Sequence, residues 1–161
     1  LKVLQMIFSY EYLWIQIRVK GGAYGCMCSF SDQGDSMFVT YRDPNLSESY
    51  KVYDEAADYV ADFDADDRDM KKYIIGTIGS MDMPMEAVDM GARSFHAYFL
   101  GKTEADLQKV RDQVLSCTQE DIRALAPIVK AVVEAGNRCC IGNEEKIDQN
   151  KEYFDEVKHV L

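Results

Sequence analysis

Residues 17–46, IRVKGGAYGCMCSFSDQGDSMFVTYRDPNL, decide how this chain is read. They begin on the last turn of an apolar segment, cross two adjacent glycines and then change period. The segment that leads into them, KVLQMIFSYEYLWIQIR (2–18), has neither Gly nor Pro and is apolar on more than one face, which predicts a helix buried between layers. Gly21 and Gly22 stop it. Beyond them YGCMCSFSD (24–32) and SMFVTYRD (36–43) are short and rich in aromatic and β-branched residues, with Gln33-Gly34-Asp35 between them. That pattern reads as an antiparallel hairpin, with Ser29 and Ser31 facing solvent and Cys28 and Phe30 alternating with the opposite face.

Downstream the period is helical throughout. Asp43-Pro44-Asn45 turns the chain, and Asn45 or Ser47 is placed to cap a helix whose Tyr53, Ala56, Ala57, Val60 and Phe63 share one face. Its other face carries Asp54, Glu55, Asp58 and Asp62, continued by Asp64, Asp66, Asp67 and Asp69; this run reads as solvated surface, and the EF-hand calcium spacing is absent. A second helix is expected over 67–79 through Met70, Ile74 and Ile78, despite Gly76 and Gly79. After a break at 80–84, a third is expected over 84–100, with Val88, Ala92, Phe95 and Phe99 on one side and Gly101 closing it. Thr103 with Asp106, and Thr118 with Asp121, resemble shortened capping boxes that start two more. Their seams are Leu107, Val110 and Val114, then Ile122, Leu125, Val129, Val132 and Val133, with Pro127 redefining the start of the latter. After Gly136, RCCIG (138–142) reads as a short strand returning to the sheet, and 144–161 as a charged, partly helical tail.

Two or three strands followed by a long helical run make the fold class α+β, in a single domain over residues 1–161. So thin a sheet for so much helix, together with an opening at Leu1 inside a helix, leads to the expectation that earlier strands belong to a larger protein of which this is a piece. The 161 residues suffice to bury roughly two thirds of the unfolded surface without a metal or disulfide staple. A net charge of −10 opposes binding to nucleic acid or an anionic membrane. No stretch approaches 18 uncharged apolar residues. Cys26, Cys28, Cys117, Cys139 and Cys140 lack zinc or redox-pair spacing and read as reduced, buried or half-buried thiols, as in a cytoplasmic protein.

Few residues are placed to do chemistry. His96 and His159 are the two histidines; His96, among Phe95, Tyr98 and Phe99, reads as an edge-of-core residue. Neither H-x-x-E-H nor its inverse occurs, and there is no G-x-S-x-G elbow. GGAYG (21–25) follows a helix and precedes a strand, the reverse of a dinucleotide loop. It serves either as a helix cap leading tightly into a strand, or as a cleared backbone on which Arg18 and Tyr24 converge on a ligand. Arginine can grip a carboxylate or a peptide carbonyl, and a tyrosine hydroxyl can donate to an oxygen that gains negative charge.

IRVKGGAYG (17–25), followed at this spacing by VTYRDPNL (39–46), resembles the C-terminal half of the pitrilysin or insulinase class of zinc metallopeptidases, and within it the peptide-degrading presequence-protease branch. The similarity runs from Leu1 to about Gly142 and includes YEYLW ahead of the arginine. The resemblance implies a half-domain of the pitrilysin-type fold: two homologous halves close around a chamber, and the N-terminal half holds zinc and the general base. It also implies that Arg18 and Tyr24 reach across to the peptide substrate, Arg18 anchoring it and Tyr24 donating to the carbonyl or tetrahedral oxyanion. Tyr41, Arg42 and Asp43 match a segment read as hairpin-end architecture and secondarily as chamber wall.

Lacking H-x-x-E-H, this chain is expected to bind no metal and to be inactive alone, completing its site with the N-terminal half of the same polypeptide or with a partner subunit. A separate acidic interaction domain, in which GGAYG and YRDPNL are purely structural, is the alternative. An isolated half is expected to expose an apolar face and to self-associate.

Overall fold

A computed structural model describes residues 1–31 and 33–159. The chain starts as an α-helix, α1 (Lys2–Ile7), and continues without a break through π-helical turns at Phe8–Tyr12 and Trp14–Lys20. The expected buried helix is thus present and two residues longer. Leu4, Ile7, Phe8, Leu13 and Ile17 are almost fully enclosed and form the centre of the core.

The hairpin forms as β1 (Gly25–Phe30) and β2 (Ser36–Tyr41), antiparallel, with Gly25 opposite Tyr41 and Phe30 opposite Ser36. Cys26, Cys28 and Phe30 face the helix and are buried, while Met27 is exposed. At the loop, Gly34 takes φ +97°, and the Ser31 amide donates to Asp35 O at 2.8 Å. Asp32, assigned from sequence to the end of the first strand, lies outside the described residues.

Phe8 ties these layers together. Its ring lies 5.5 Å from Phe38, 5.7 Å from Tyr12 and 6.1 Å from both Phe30 and Tyr59. The helix expected over the next stretch is divided at Glu55 into α2 (Leu46–Asp54) and α3 (Ala56–Ala61); Ala56, Ala57, Val60 and Phe63 are buried as predicted, and the carboxylates of the opposite face stand in solvent. Asp66 then caps α4 (Asp67–Met81) by accepting from the Asp69 amide. Gly76 is accommodated because α4 packs on α1 there: a Cβ at this position would come within 3.3 Å of Met6 Sδ.

Next come α5 (Ala87–Phe99), α6 (Glu104–Leu115), α7 (Gln119–Arg123) and α8 (Ala126–Glu134). Thr103 with Asp106 and Thr118 with Asp121 form reciprocal capping boxes, and Pro127 sits in the first turn of α8. α3 rests on α7 and α8, and α4 on α6, so Val114, Ile122 and Val129 join the core.

Several expectations are corrected. α5 begins at Ala87 rather than Pro84, and Val88, Phe95 and Phe99 are 79%, 66% and 68% exposed, so the seam read from its period has no packing partner within the described residues; His96, expected at a core edge, is exposed with it. The RCCIG segment is irregular, and the sheet has two strands among the described residues. Its groups are taken up elsewhere: Arg138 pairs with Asp54 at 2.8 Å and lies over the Tyr50 ring, while Cys139 O accepts from the Tyr50 hydroxyl at 3.4 Å. Cys139 is also exposed rather than buried, although all five thiols are free. The tail holds α9 (Glu144–Asp148) and a 3₁₀ turn, Lys151–Tyr153; Val160 and Leu161 lie outside the described residues. No helix of the described residues is long and apolar enough to cross a membrane.

Candidate functional site

The first helix ends on a wide turn. The Gly21 amide reaches Gln16 O at 3.1 Å, and Ala23 N closes back to Ile17 O at 3.2 Å over Gly22, whose φ is +77°. A Cβ on Gly21 would stand 2.5 Å from Ile17 O, so no side chain fits there. Both glycines are therefore required by backbone geometry, as a helix-capping role demands.

The same turn is fastened to the YRDPNL segment. Asn45, expected to cap α2 with its side chain, instead donates from Nδ2 to Gly21 O at 2.6 Å. Asp43 accepts from the Asn45 amide at 2.9 Å and from the Ser49 hydroxyl, fixing the start of α2. Two motifs separated in sequence thus form one junction between the end of a helix and the open end of the hairpin.

Arg18 and Tyr24 meet at this junction. The Arg18 Nε–H donates to Tyr24 O at 3.0 Å, and the guanidinium lies 4.1 Å from the centre of the Trp14 ring. Nε is thus committed to positioning the strand entry, the indole fixes the plane of the fork, and among the described residues no carboxylate pairs with it. The Tyr24 side chain is 66% exposed, and its hydroxyl has no hydrogen-bond partner among the described residues. Its ring stands edge-on to Tyr41, 5.9 Å between centroids, and the Arg42 guanidinium caps both rings at 5.7 Å and 5.3 Å.

The structure therefore gathers the side chains of Tyr24, Tyr41 and Arg42 at the base of the hairpin and sets half-buried Arg18 against the Tyr24 backbone beside them. Trp14 was missed at the sequence level. The available signal was its position four residues before Arg18, the spacing that stacks two side chains on one helical face. Beneath the face lies Cys26, whose thiol is pushed up by burial against the opposing pull of nearby Arg18; Cys28, deeper in, is pushed up to about 12, chiefly by burial. Both are protonated and inert at neutral pH.

No group of three or more His, Cys, Asp or Glu residues among the described residues could hold an ion. His159 lies 3.5 Å from Glu144 in the tail, and His96 is exposed on α5. The face offers instead the guanidinium groups of Arg18 and Arg42 and the exposed phenols of Tyr24 and Tyr41, all suited to a peptide carbonyl or carboxylate.

The family model described as PreP C-terminal domain matches residues 1–143. The chain belongs to this family. The PreP C-terminal domain falls within the pitrilysin/insulinase peptidases and is related to their presequence-protease branch. Protein HypA of Clostridium perfringens is 40% identical over 161 residues, covering 100% of this chain and 16% of that protein. Presequence protease 1, chloroplastic/mitochondrial, of Arabidopsis thaliana is 33% identical over 163 residues, covering 99% and 15%. The mitochondrial presequence protease of Aspergillus fumigatus is 34% identical over 148 residues, covering 91% and 13%. The chain thus spans between about an eighth and a sixth of the length of these curated relatives. Both halves of the Arg18–Tyr24 junction lie inside the matched residues.

Proposed function

We propose that this chain is the C-terminal portion of a zinc-dependent peptidase that degrades peptides, and that it supplies the substrate side of a site whose zinc and general base lie in an N-terminal half. The observation that carries the reading is the junction itself. In a chain of the PreP C-terminal domain family, the helix end holds Arg18 against the Tyr24 backbone and the strand start leaves the Tyr24 side chain exposed. Arg18, already oriented by Trp14 and by Tyr24 O, has the rest of its fork left to anchor a peptide carbonyl or carboxylate. Tyr24, with a free hydroxyl on a short strand entry, donates to the oxygen that gains charge as the scissile carbon becomes tetrahedral. Zinc, when bound in the other half, would polarise the carbonyl and activate water. Tyr41 and Arg42 form the adjoining wall. A reducing, cytoplasmic setting, in keeping with five free thiols, belongs to the same proposal and is checked by cell fractionation.

The test is made in the full-length peptidase with zinc content and circular dichroism held as controls. Tyr24→Phe is expected to lower kcat about 10²-fold or more, the loss typical of one oxyanion donor. Arg18→Ala is expected to raise KM for peptide. Rates within about twofold of the parent for both variants, with zinc and fold intact, would show that the junction is only architectural.

A further inference from the structure

Arg42 is the one residue other than glycine with positive φ among the described residues, at +48°. A side chain in the left-handed region crowds its own backbone, and such positions persist where the surroundings over-determine them. Glycine or asparagine would serve the turn with less strain. What the arginine adds is visible in its contacts. Its guanidinium covers the Tyr24 ring at 5.7 Å and the Tyr41 ring at 5.3 Å, within the range of a cation–π contact, and its carbonyl accepts the Tyr24 amide at 3.3 Å. Backbone and side chain of one strained residue therefore hold Tyr24 from two directions. Tyr41 closes the third side, edge-on at 5.9 Å.

We infer that Arg42 is a positioning residue for Tyr24, its strained backbone retained because that conformation lays the guanidinium across the two tyrosine rings and fixes the direction of the Tyr24 hydroxyl. The inference rests on the proposed role of Tyr24 in transition-state stabilisation. It separates activity from stability: a residue kept only for the turn would give way to glycine or asparagine with no loss of rate, whereas a positioning residue held under strain gives up rate when replaced by one that fits the turn better.

The experiment compares Arg42→Gly, Arg42→Asn and Arg42→Lys in the full-length peptidase, each also combined with Tyr24→Phe, reading kcat, KM and thermal midpoint. Arg42→Gly and Arg42→Asn are expected to lower kcat about fivefold or more, with KM within about twofold and the midpoint unchanged or higher. Arg42→Lys, which keeps the charge without the planar stack, is expected to retain an intermediate rate. In the Tyr24→Phe background the same changes at 42 are expected to have less than about a twofold effect, because the group being aimed is gone.

Three outcomes overturn the inference. If Tyr24→Phe costs about 10²-fold while both neutral variants at 42 stay within about twofold, Arg42 does not position it and the role of Tyr24 stands. If the changes at 42 cost the same with and without the Tyr24 hydroxyl, Arg42 acts elsewhere. If Tyr24→Phe is itself silent, the underlying reading fails and the positioning role fails with it. Two neutral replacements, both tolerant of positive φ, guard against a folding defect in either one.

Discussion

The first helix and α5 are two apolar helices of the same chain with opposite fates. Along residues 2–20 one apolar face packs beneath the hairpin, α2–α3 and α4, where Leu4, Ile7, Phe8 and Leu13 have no exposed surface, while Tyr10, Ile15 and Val19 on the other side stay exposed. Along Ala87–Phe99 the apolar positions follow a cleaner amphipathic period, yet none is buried. Periodicity states that a helix has a face to hide; it does not state what hides it. The first helix finds its cover within the 161 residues, because the hairpin turns straight back over it and the Asn45–Gly21 contact fixes the return. α5 finds none within the described residues, in a chain that spans between about an eighth and a sixth of these relatives' length.

The largest test of that contrast is at Phe8. Replacing it with alanine removes a fully buried ring that touches four other rings and is expected to cost about 3–5 kcal/mol in urea unfolding. A loss below about 1 kcal/mol would mean that the buried centre is misassigned.

Alkaline pH should act on the same region. Burial raises Cys28, Tyr50 and Tyr59 to about 12 each, and raises Tyr12 and Tyr53 further. The native state therefore holds these protons more tightly than the unfolded chain, so their stabilising contribution is complete below the ordinary thiol and phenol values and is lost as pH rises toward 12. The urea midpoint is expected to fall from about pH 9 upward and steadily through about pH 11. A flat profile would show that these groups are solvated.

The smallest effect is predicted at α5. Val88→Ser and Phe95→Ser should change folding stability by no more than about 0.5 kcal/mol, as for surface positions, while lowering any self-association of the 161-residue chain seen in sedimentation. A stability loss above about 1 kcal/mol would show that this helix is packed and would erase the contrast.

The helix–hairpin–helix-array order, both capping boxes, the Pro127 restart and the buried face of α3 were legible in the sequence, because each is set by residues within one or two turns of each other; on α4 Met70 is buried as read, but Tyr73 and Thr77 are buried where Ile74 and Ile78, half-buried, were expected. RCCIG was not. Its β-like composition was outweighed by contacts from far along the chain, with Asp54 holding the Arg138 side chain and Tyr50 the Cys139 carbonyl. The functional face was half legible: Arg18, Tyr24, Tyr41 and Arg42 were each singled out, but the two cation–aromatic stacks that order them depend on how the glycine turn rotates the strand entry against the helix. Asn45 shows the same limit. Its identity suits an N-cap, and only the folded junction reveals that its amide is spent on Gly21 O.

The central claim is that Tyr24, and not the apolar face of α5, meets the peptide. A photoreactive phenylalanine analogue placed at position 24, and separately at the still more exposed Tyr98 of α5, tests it in the zinc-loaded full-length peptidase with bound peptide. The account predicts that irradiation attaches peptide at position 24 and leaves position 98 unlabelled. Peptide attached at 98 with none at 24 would contradict it.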